Sequence, residues 1–203
     1  MVRVGGIVLC GGKSRRMGQG KAWLPFAGEL MLPRVVRLVS QAVQPVVVVA
    51  APRQDVPPLP SEIIVVRDEQ EGLGPLAGLA AGLSAFTANV DAAFLSSCDA
   101  PFLRSGFVLR LIDLLGSHDA CVPKVDGLEH PLCAVYRLDV LEAVRQLLAE
   151  NVLRLGLLLT RIATRLVGAE ELTNVDPKFQ SLRNLNTWEE YQQALRDAPV
   201  AAN

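Results

Sequence analysis

The chain has 203 residues, half of them apolar and 20% charged, with a formal net charge of −1. That length predicts a single domain over 1–203, and that composition sustains a buried core. The near-neutral balance argues against binding to nucleic acid or to an anionic membrane; no apolar run reaches the ~18 residues of a membrane span and no long apolar leader opens the chain, so a cytoplasmic protein is expected.

Short β-branched runs at 6–10, 46–50, 63–66, 92–97, 120–123 and 132–136 predict strands. Between them lie helical stripes. Met31, Val35, Leu38, Val39 and Ala42 form the first, and Leu76, Leu79, Ala80, Leu83 and Phe86 the second. Phe107, Val108, Leu111, Ile112 and Leu115 form a third, with Ser105 the expected N-cap. Val140, Leu141, Val144, Leu147 and Leu148 form a fourth. Trp188, Tyr191 and Leu195 mark a last helix, opened by Thr187 with Glu190 three residues on, and the tryptophans are expected to pack into the core.

Strand–helix alternation implies crossover connections and a mostly parallel sheet, an α/β protein. The apolar runs at 46–50 and 63–66 are expected to be covered on both faces. In "VDGLEHPLCAVYR", residues 125–137, a Val-Asp-Gly turn joins two β-type runs with no helix between, which predicts an antiparallel pair late in the sheet. The four-proline segment 52–62 is an ordered or mobile loop, and the tail 197–203 is expected to fray. The four cysteines, at 10, 98, 121 and 133, show no CxxC spacing and are expected to be buried thiols rather than zinc ligands.

In such a sheet, function belongs at the carboxyl ends of the strands, here the loops at 11–23, 51–61, 68–75, 98–104 and 124–131. The first loop pairs glycines with Lys13, Arg15, Arg16 and Lys21. Glycine lets backbone N–H groups curl around an anion, and arginine forks and a lysine ammonium suit phosphate oxygens. It is not a Walker loop, because Ala22 follows Gly20-Lys21 and Arg15 stands where that motif has its first glycine, and it lacks the G-x-G-x-x-G spacing. A second signal is Asp99, directly after an apolar strand. A carboxylate there suits Mg²⁺ beside a polyphosphate, although the same residue could cap the helix after Pro101.

These residues carry a resemblance. "VLCGGKSRRMGQGKAWLPFAGELMLPRVV" resembles the opening signature of small nucleotidyltransferases, L-A-G-G-x-S-x-R-M-G-x-D-K, and most of all that of the molybdenum cofactor guanylyltransferases. "GPLAGLAAGL" at 74–83, "CDAPFL" at 98–103, "EHPL" at 129–132 and "NLNT" at 184–187 are similar to later segments of that family, in the same order. The resemblance implies a three-layer, Rossmann-like, GT-A-like nucleotidyltransferase fold, with a nucleotide-binding half at 1–110 and an acceptor-binding half at 111–197. It implies GTP and molybdopterin as substrates, Mg²⁺ as cofactor, and transient contact with molybdoenzymes or other cofactor-biosynthesis proteins.

On the same footing, Leu9, Cys10, Gly11 and Gly12 would cradle guanine and ribose, and Asp68 and Gly74 would join the nucleotide site. Arg16 and Lys21 would face the phosphates, Asp99 would carry the metal, and His130, Asn184 and Asn186 would meet the pterin acceptor. As bare residue types, Asp68, Asn184 and Asn186 also suit turns, and His130 a loop. Gly11 stands where related cytidylyltransferases have alanine, which favours a purine. Two positions depart from the pattern: Gly20 replaces the acidic neighbour of Lys21, and Ala50 or Ala51 stands where an asparagine is expected. A cytidylyltransferase acting on molybdopterin or an alditol phosphate, or a nucleotide-binding module without activity, remain alternatives.

Overall fold

Ten strands and six helices follow one another in a computed structural model that describes residues 2–11, 20–68, 72–87 and 89–198. The order is β1 (Val4–Leu9), β2 (Pro25–Phe26), β3 (Glu29–Leu30), α1 (Met31–Ser40), β4 (Val46–Ala50), β5 (Ile64–Arg67), α2 (Gly74–Ser84), β6 (Ala92–Ser97) and α3 (Ser105–Leu114). Then come β7 (Ala120–Val125), β8 (Leu128–Glu129), β9 (Ala134–Arg137), α4 (Leu141–Ala149), α5 (Leu155–Leu158), β10 (Thr164–Val167) and α6 (Trp188–Asp197). Gly12, Arg15 and Arg16, part of the basic loop, lie outside the described residues, as does most of the tail.

One sheet runs β10-β7-β9-β6-β1-β4-β5, with β8 hairpinned onto β7. β5, β4, β1 and β6 are mutually parallel, β9 runs antiparallel to both β6 and β7, and β10 runs parallel to β7. The predicted antiparallel pair is therefore present, but the Asp126-Gly127 turn first closes β7 onto β8. Both turn residues have positive φ, 51° and 77°, the geometry a two-residue hairpin needs.

Alternation along each central strand explains the three layers. Val8 and Val48 face α1 and α3, packing with Val35, Val39, Phe107 and Leu111. Ile7, Leu9, Val47 and Val49 face α2 and α4, packing with Leu76, Leu79, Val144 and Leu147. A parallel sheet buried on both faces needs this unbroken apolar content. α2 lies unusually near β1 because small residues recur on its inner face. A Cβ added at Gly82 would sit 2.7 Å from Ile7 Cγ2, and one at Gly78 2.9 Å from Leu9 Cδ2.

Three expectations are corrected. β5 is not covered on both faces: it is the sheet's edge, and Ile64 and Val65 are 40% and 41% exposed. Ser105 is the first residue of α3, not its cap. Arg104 is the capping residue and contributes no side-chain cap; its N–H donates to Ser181 Oγ at 3.1 Å, which fastens the helix start to the C-terminal segment. The tryptophans are not core residues. Trp23 and Trp188 are 42% and 44% exposed, while Tyr191 and Ala194 bury the inner face of α6.

α6 does open with the predicted capping box, Thr187 Oγ1 accepting from Glu190 N and Glu190 reaching back to Thr187 N. It packs on the β2–β3 ribbon through Leu24, Phe26, Met31 and Leu185, and Tyr191 Oη donates to Pro25 O at 2.5 Å. The last helix thereby ties the C-terminal segment to the segment carrying Lys21.

Candidate active site

The chain order reverses at β1, which lies between β4 and β6, and a cavity of about 470 Å³ opens at the carboxyl ends of these strands. Leu9, Cys10 and Gly11 leave β1 into it, Val49 to Pro52 leave β4, Asp68 follows β5, and Ser97 to Asp99 end β6. Gly72, Gly74, Pro75 and Gly78, at the start of α2, form a further wall.

Charge gathers on the β6 side. Lys21, in a short 3₁₀ turn (Lys21–Trp23), directs its ammonium at Asp99 Oδ2, 2.5 Å away, and at Asn186 Oδ1, 3.1 Å away. Ser97 Oγ donates to Asp99 Oδ1 at 2.5 Å. The Asp99 carbonyl accepts from Leu185 N, which fastens the Asn184–Asn186 segment beside the carboxylate. The Gly20 departure is thus resolved: the acidic partner of Lys21 is Asp99, assisted by Asn186. The pair is largely shielded, with side-chain exposures of 18% and 11%, so losing either charge would leave the other poorly compensated.

The other side is lined mainly by small and apolar residues, with Asp68 following β5 beside them. The slot between the ends of β1 and β4 is lined by Gly11, Val49, Ala50, Ala51 and Pro52. A Cβ built on Gly11 would meet Ala51 N at 3.5 Å, so even a methyl there would occupy the space between the walls. Beneath it, the Cys10 thiol is held below its ordinary range by a hydrogen bond from Cys98; burial opposes this and the Gln54 amide supports it, while Cys98 is pushed well up. All four cysteines are buried thiols, as expected.

The sequence-derived set divides accordingly. Leu9, Cys10, Gly11, Lys21, Asp68, Gly74 and Asp99 line one cavity. Asn186 reaches it through Lys21, and Asn184 precedes Leu185, which does the same through its N–H. His130 does not line it. Its backbone pairs with Pro123 O and burial depresses the pKa of its ring, while Leu132, two residues on, forms part of the wall. Gly12 and Arg16 lie outside the described residues.

Among the described residues, no three His, Cys, Asp or Glu side chains gather as a metal cage. Asp99 fits the looser arrangement of Mg²⁺, one or two carboxylates plus substrate phosphate oxygens. Lys21 and Ser97 use two of its roughly four lone-pair directions, leaving room for one more partner.

Two contributors escaped the sequence. Ser97 reads as strand, and only its place two residues before Asp99 hints at a role. Gln54 lies in the proline-rich loop and reads as loop filler. Yet its Nε2 donates to Cys10 O at 3.0 Å and its Oε1 accepts from Ala51 N at 3.0 Å.

Comparison with known proteins bears on the family and the fold. Residues 6–163 match the family model of the MobA-like NTP transferase domain. The chain is 35% identical to the molybdenum cofactor guanylyltransferase of Desulfosudis oleivorans, over 96% of this chain and 95% of that one. Its fold is similar to that of molybdopterin-guanine dinucleotide biosynthesis protein A from Archaeoglobus fulgidus, with a TM-score of 0.79 at 22% identity, covering 95% and 97% of the two chains. It is also similar to the fold of 2-C-methyl-D-erythritol 4-phosphate cytidylyltransferase from Thermus thermophilus, with a TM-score of 0.70 at 16% identity, covering 96% and 98%. At those identities the two structures speak for the fold alone.

Proposed function

The chain belongs to the MobA-like NTP transferase family, a family of nucleotidyltransferases, and from that premise we propose that it transfers GMP from GTP to the terminal phosphate of molybdopterin, releasing pyrophosphate, with Mg²⁺ as cofactor. The observation that carries this reading is the division of one cavity into an end that gathers Lys21, Asp99 and Asn186 and a slot at the ends of β1 and β4 lined by Gly11, Val49, Ala50, Ala51 and Pro52. A nucleoside triphosphate has the same division. The name of the Desulfosudis relative supports the choice of nucleotide and acceptor.

In the reaction, an oxygen of the acceptor phosphate bonds to the α-phosphorus of GTP, and the bond from that phosphorus to the bridging oxygen of the β-phosphate breaks. The electron pair leaves with pyrophosphate. The acceptor phosphate is already anionic near neutral pH, so no general base has to remove a proton. The work left to the protein is positioning and charge neutralisation. Lys21 supplies a fixed positive charge, held in place by two partners, and Arg16, as the sequence resemblance implies, would face the same phosphates. Asp99 would hold Mg²⁺, which supplies Lewis-acid polarisation of phosphate oxygens when bound. Leu9 to Gly11 and the start of α2 seat the nucleoside and exclude water from it.

Asp99→Asn keeps the shape of the side chain but removes its charge. Pyrophosphate release in the presence of Mg²⁺, GTP and molybdopterin is expected to fall by at least about a hundredfold, with the circular dichroism spectrum unchanged. Turnover equal to that of the native chain would refute the role given to Asp99.

A further inference from the structure

The strands that bound the slot end early. β1 stops at Leu9 and β4 at Ala50, and the last ladder bond runs from Cys10 N to Val49 O at 2.8 Å. Beyond it, the Cys10 carbonyl on one wall and the Ala51 N–H on the other have no strand partner in the ladder. A side-chain carboxamide takes over. Gln54 Nε2 donates to Cys10 O at 3.0 Å and to Cys10 Sγ at 3.2 Å, and Gln54 Oε1 accepts from Ala51 N at 3.0 Å. This adds one further rung between the walls.

The rung is itself braced. Arg67, at the end of β5, donates through Nη1 to Gln54 O at 2.8 Å and to Ala51 O at 3.2 Å. A carboxamide suits the position because it offers one donor and one acceptor at a fixed separation, matching one carbonyl and one N–H. A carboxylate could serve the Ala51 N–H but would set its other oxygen against the Cys10 carbonyl. An alkyl chain would serve neither. Gly11 and Ala51 approach closely at this point, since a Cβ built on Gly11 would already be in van der Waals contact with Ala51 N at 3.5 Å, so a change in the rung would shift both edges of the surface they present.

We propose that Gln54 is a positioning residue for the nucleobase: it fixes the spacing of the Cys10–Gly11 and Ala51–Pro52 walls and so sets the preference for a purine over a pyrimidine nucleoside triphosphate. The inference deepens the function proposed above and rests on it. It also gives the missing asparagine at Ala50 or Ala51 a physical answer, because the carboxamide arrives from the following loop instead of from the strand end.

The test compares the native chain with Gln54→Met, of similar length but without hydrogen-bonding groups, and Gln54→Glu, close in shape but without the donor. Calorimetric dissociation constants are measured for GTP and CTP with Mg²⁺, together with KM and kcat for transfer and melting curves for all three proteins. The native chain is expected to favour GTP. In both variants GTP affinity is expected to fall about tenfold and CTP affinity by less than about twofold, with KM for GTP rising and kcat lowered by less than about threefold. A residue that merely supported the loop would weaken both nucleotides alike, so an unchanged ratio of GTP to CTP affinity in a folded variant overturns the inference. The near-isosteric Gln54→Glu keeps the test open if Gln54→Met melts. A native chain with no preference for GTP would instead count against the proposed function, which is read from the native chain alone.

Discussion

Lys21 and Gly11 show how much of a site can be read locally. Lys21 lacks an acidic neighbour in sequence, and its ammonium is instead held by Asp99, 78 positions later, and Asn186, 165 positions later. No spacing rule reaches so far, because the contact is made by strand order and by the docking of α6, neither of which is encoded near Lys21. Gly11 was legible, since its meaning depends on immediate backbone access. Its replacement provides a residue-scale prediction. The added Cβ would lie at ordinary contact distance from Ala51, so Gly11→Ala should keep its melting temperature within a few degrees. The methyl would nevertheless enter the slot. GTP affinity is expected to fall by about tenfold while CTP affinity changes little, a shift of about 1.4 kcal/mol that calorimetry can resolve. Equal losses for both nucleotides would contradict a base-discriminating role for this position.

At the scale of elements, the segments buried in the sandwich were the ones visible in sequence. β1, β4 and the first four residues of β6 are runs without a polar side chain, and α1 and α4 carry clear helical stripes, because each must present an apolar face to a neighbouring layer. β10 was missed. Thr164 to Val167 is a short edge strand with one exposed and one buried apolar side chain, and its partner β7 lies 44 residues earlier. The two-residue strands of the β2–β3 ribbon were missed for a similar reason: they exist as a platform for α6, and nothing local demands them. α2 was found as a helix, but its low polarity hid why glycine recurs in it. Gly78 and Gly82 are four apart and both face β1, which lets the helix sit close over the strand whose end opens into the cavity. Filling that approach should cost about 1–3 kcal/mol, the usual range for overpacking a buried contact. Gly82→Ala is therefore expected to lower the melting temperature by several degrees in a scanning calorimeter. A variant as stable as the native chain would mean that α2 and β1 are not packed at this distance.

For the whole molecule, the topology matters more than any single motif. Reversal of the strand order at β1 opens a crevice, the Lys21–Asp99 cluster occupies the β6 side of it, and the slot walled by Gly11 and Val49 to Pro52 occupies the β4 side. α6 and the Leu185–Asn186 segment close over the charged side from the C-terminal end, so residues near both ends of the chain meet at Asp99. The fold class was legible from alternation alone, because βαβ crossovers leave few other solutions. The pairing of β9 between β6 and β7 was legible only in part, since a turn signal marks a reversal of direction without naming the neighbour. No described helix is long and apolar enough to cross a membrane. The central claim joins both sides of the crevice: the slot selects guanine, and the charged cluster then transfers its nucleotide. The most direct measurement is pyrophosphate release from a panel of GTP, ATP, CTP and UTP, each with Mg²⁺ and with or without molybdopterin. Release with GTP that depends on both Mg²⁺ and molybdopterin, and exceeds release with CTP by at least about tenfold, is the predicted result. Release that is faster with CTP, or none with any nucleotide when molybdopterin is present, would contradict it.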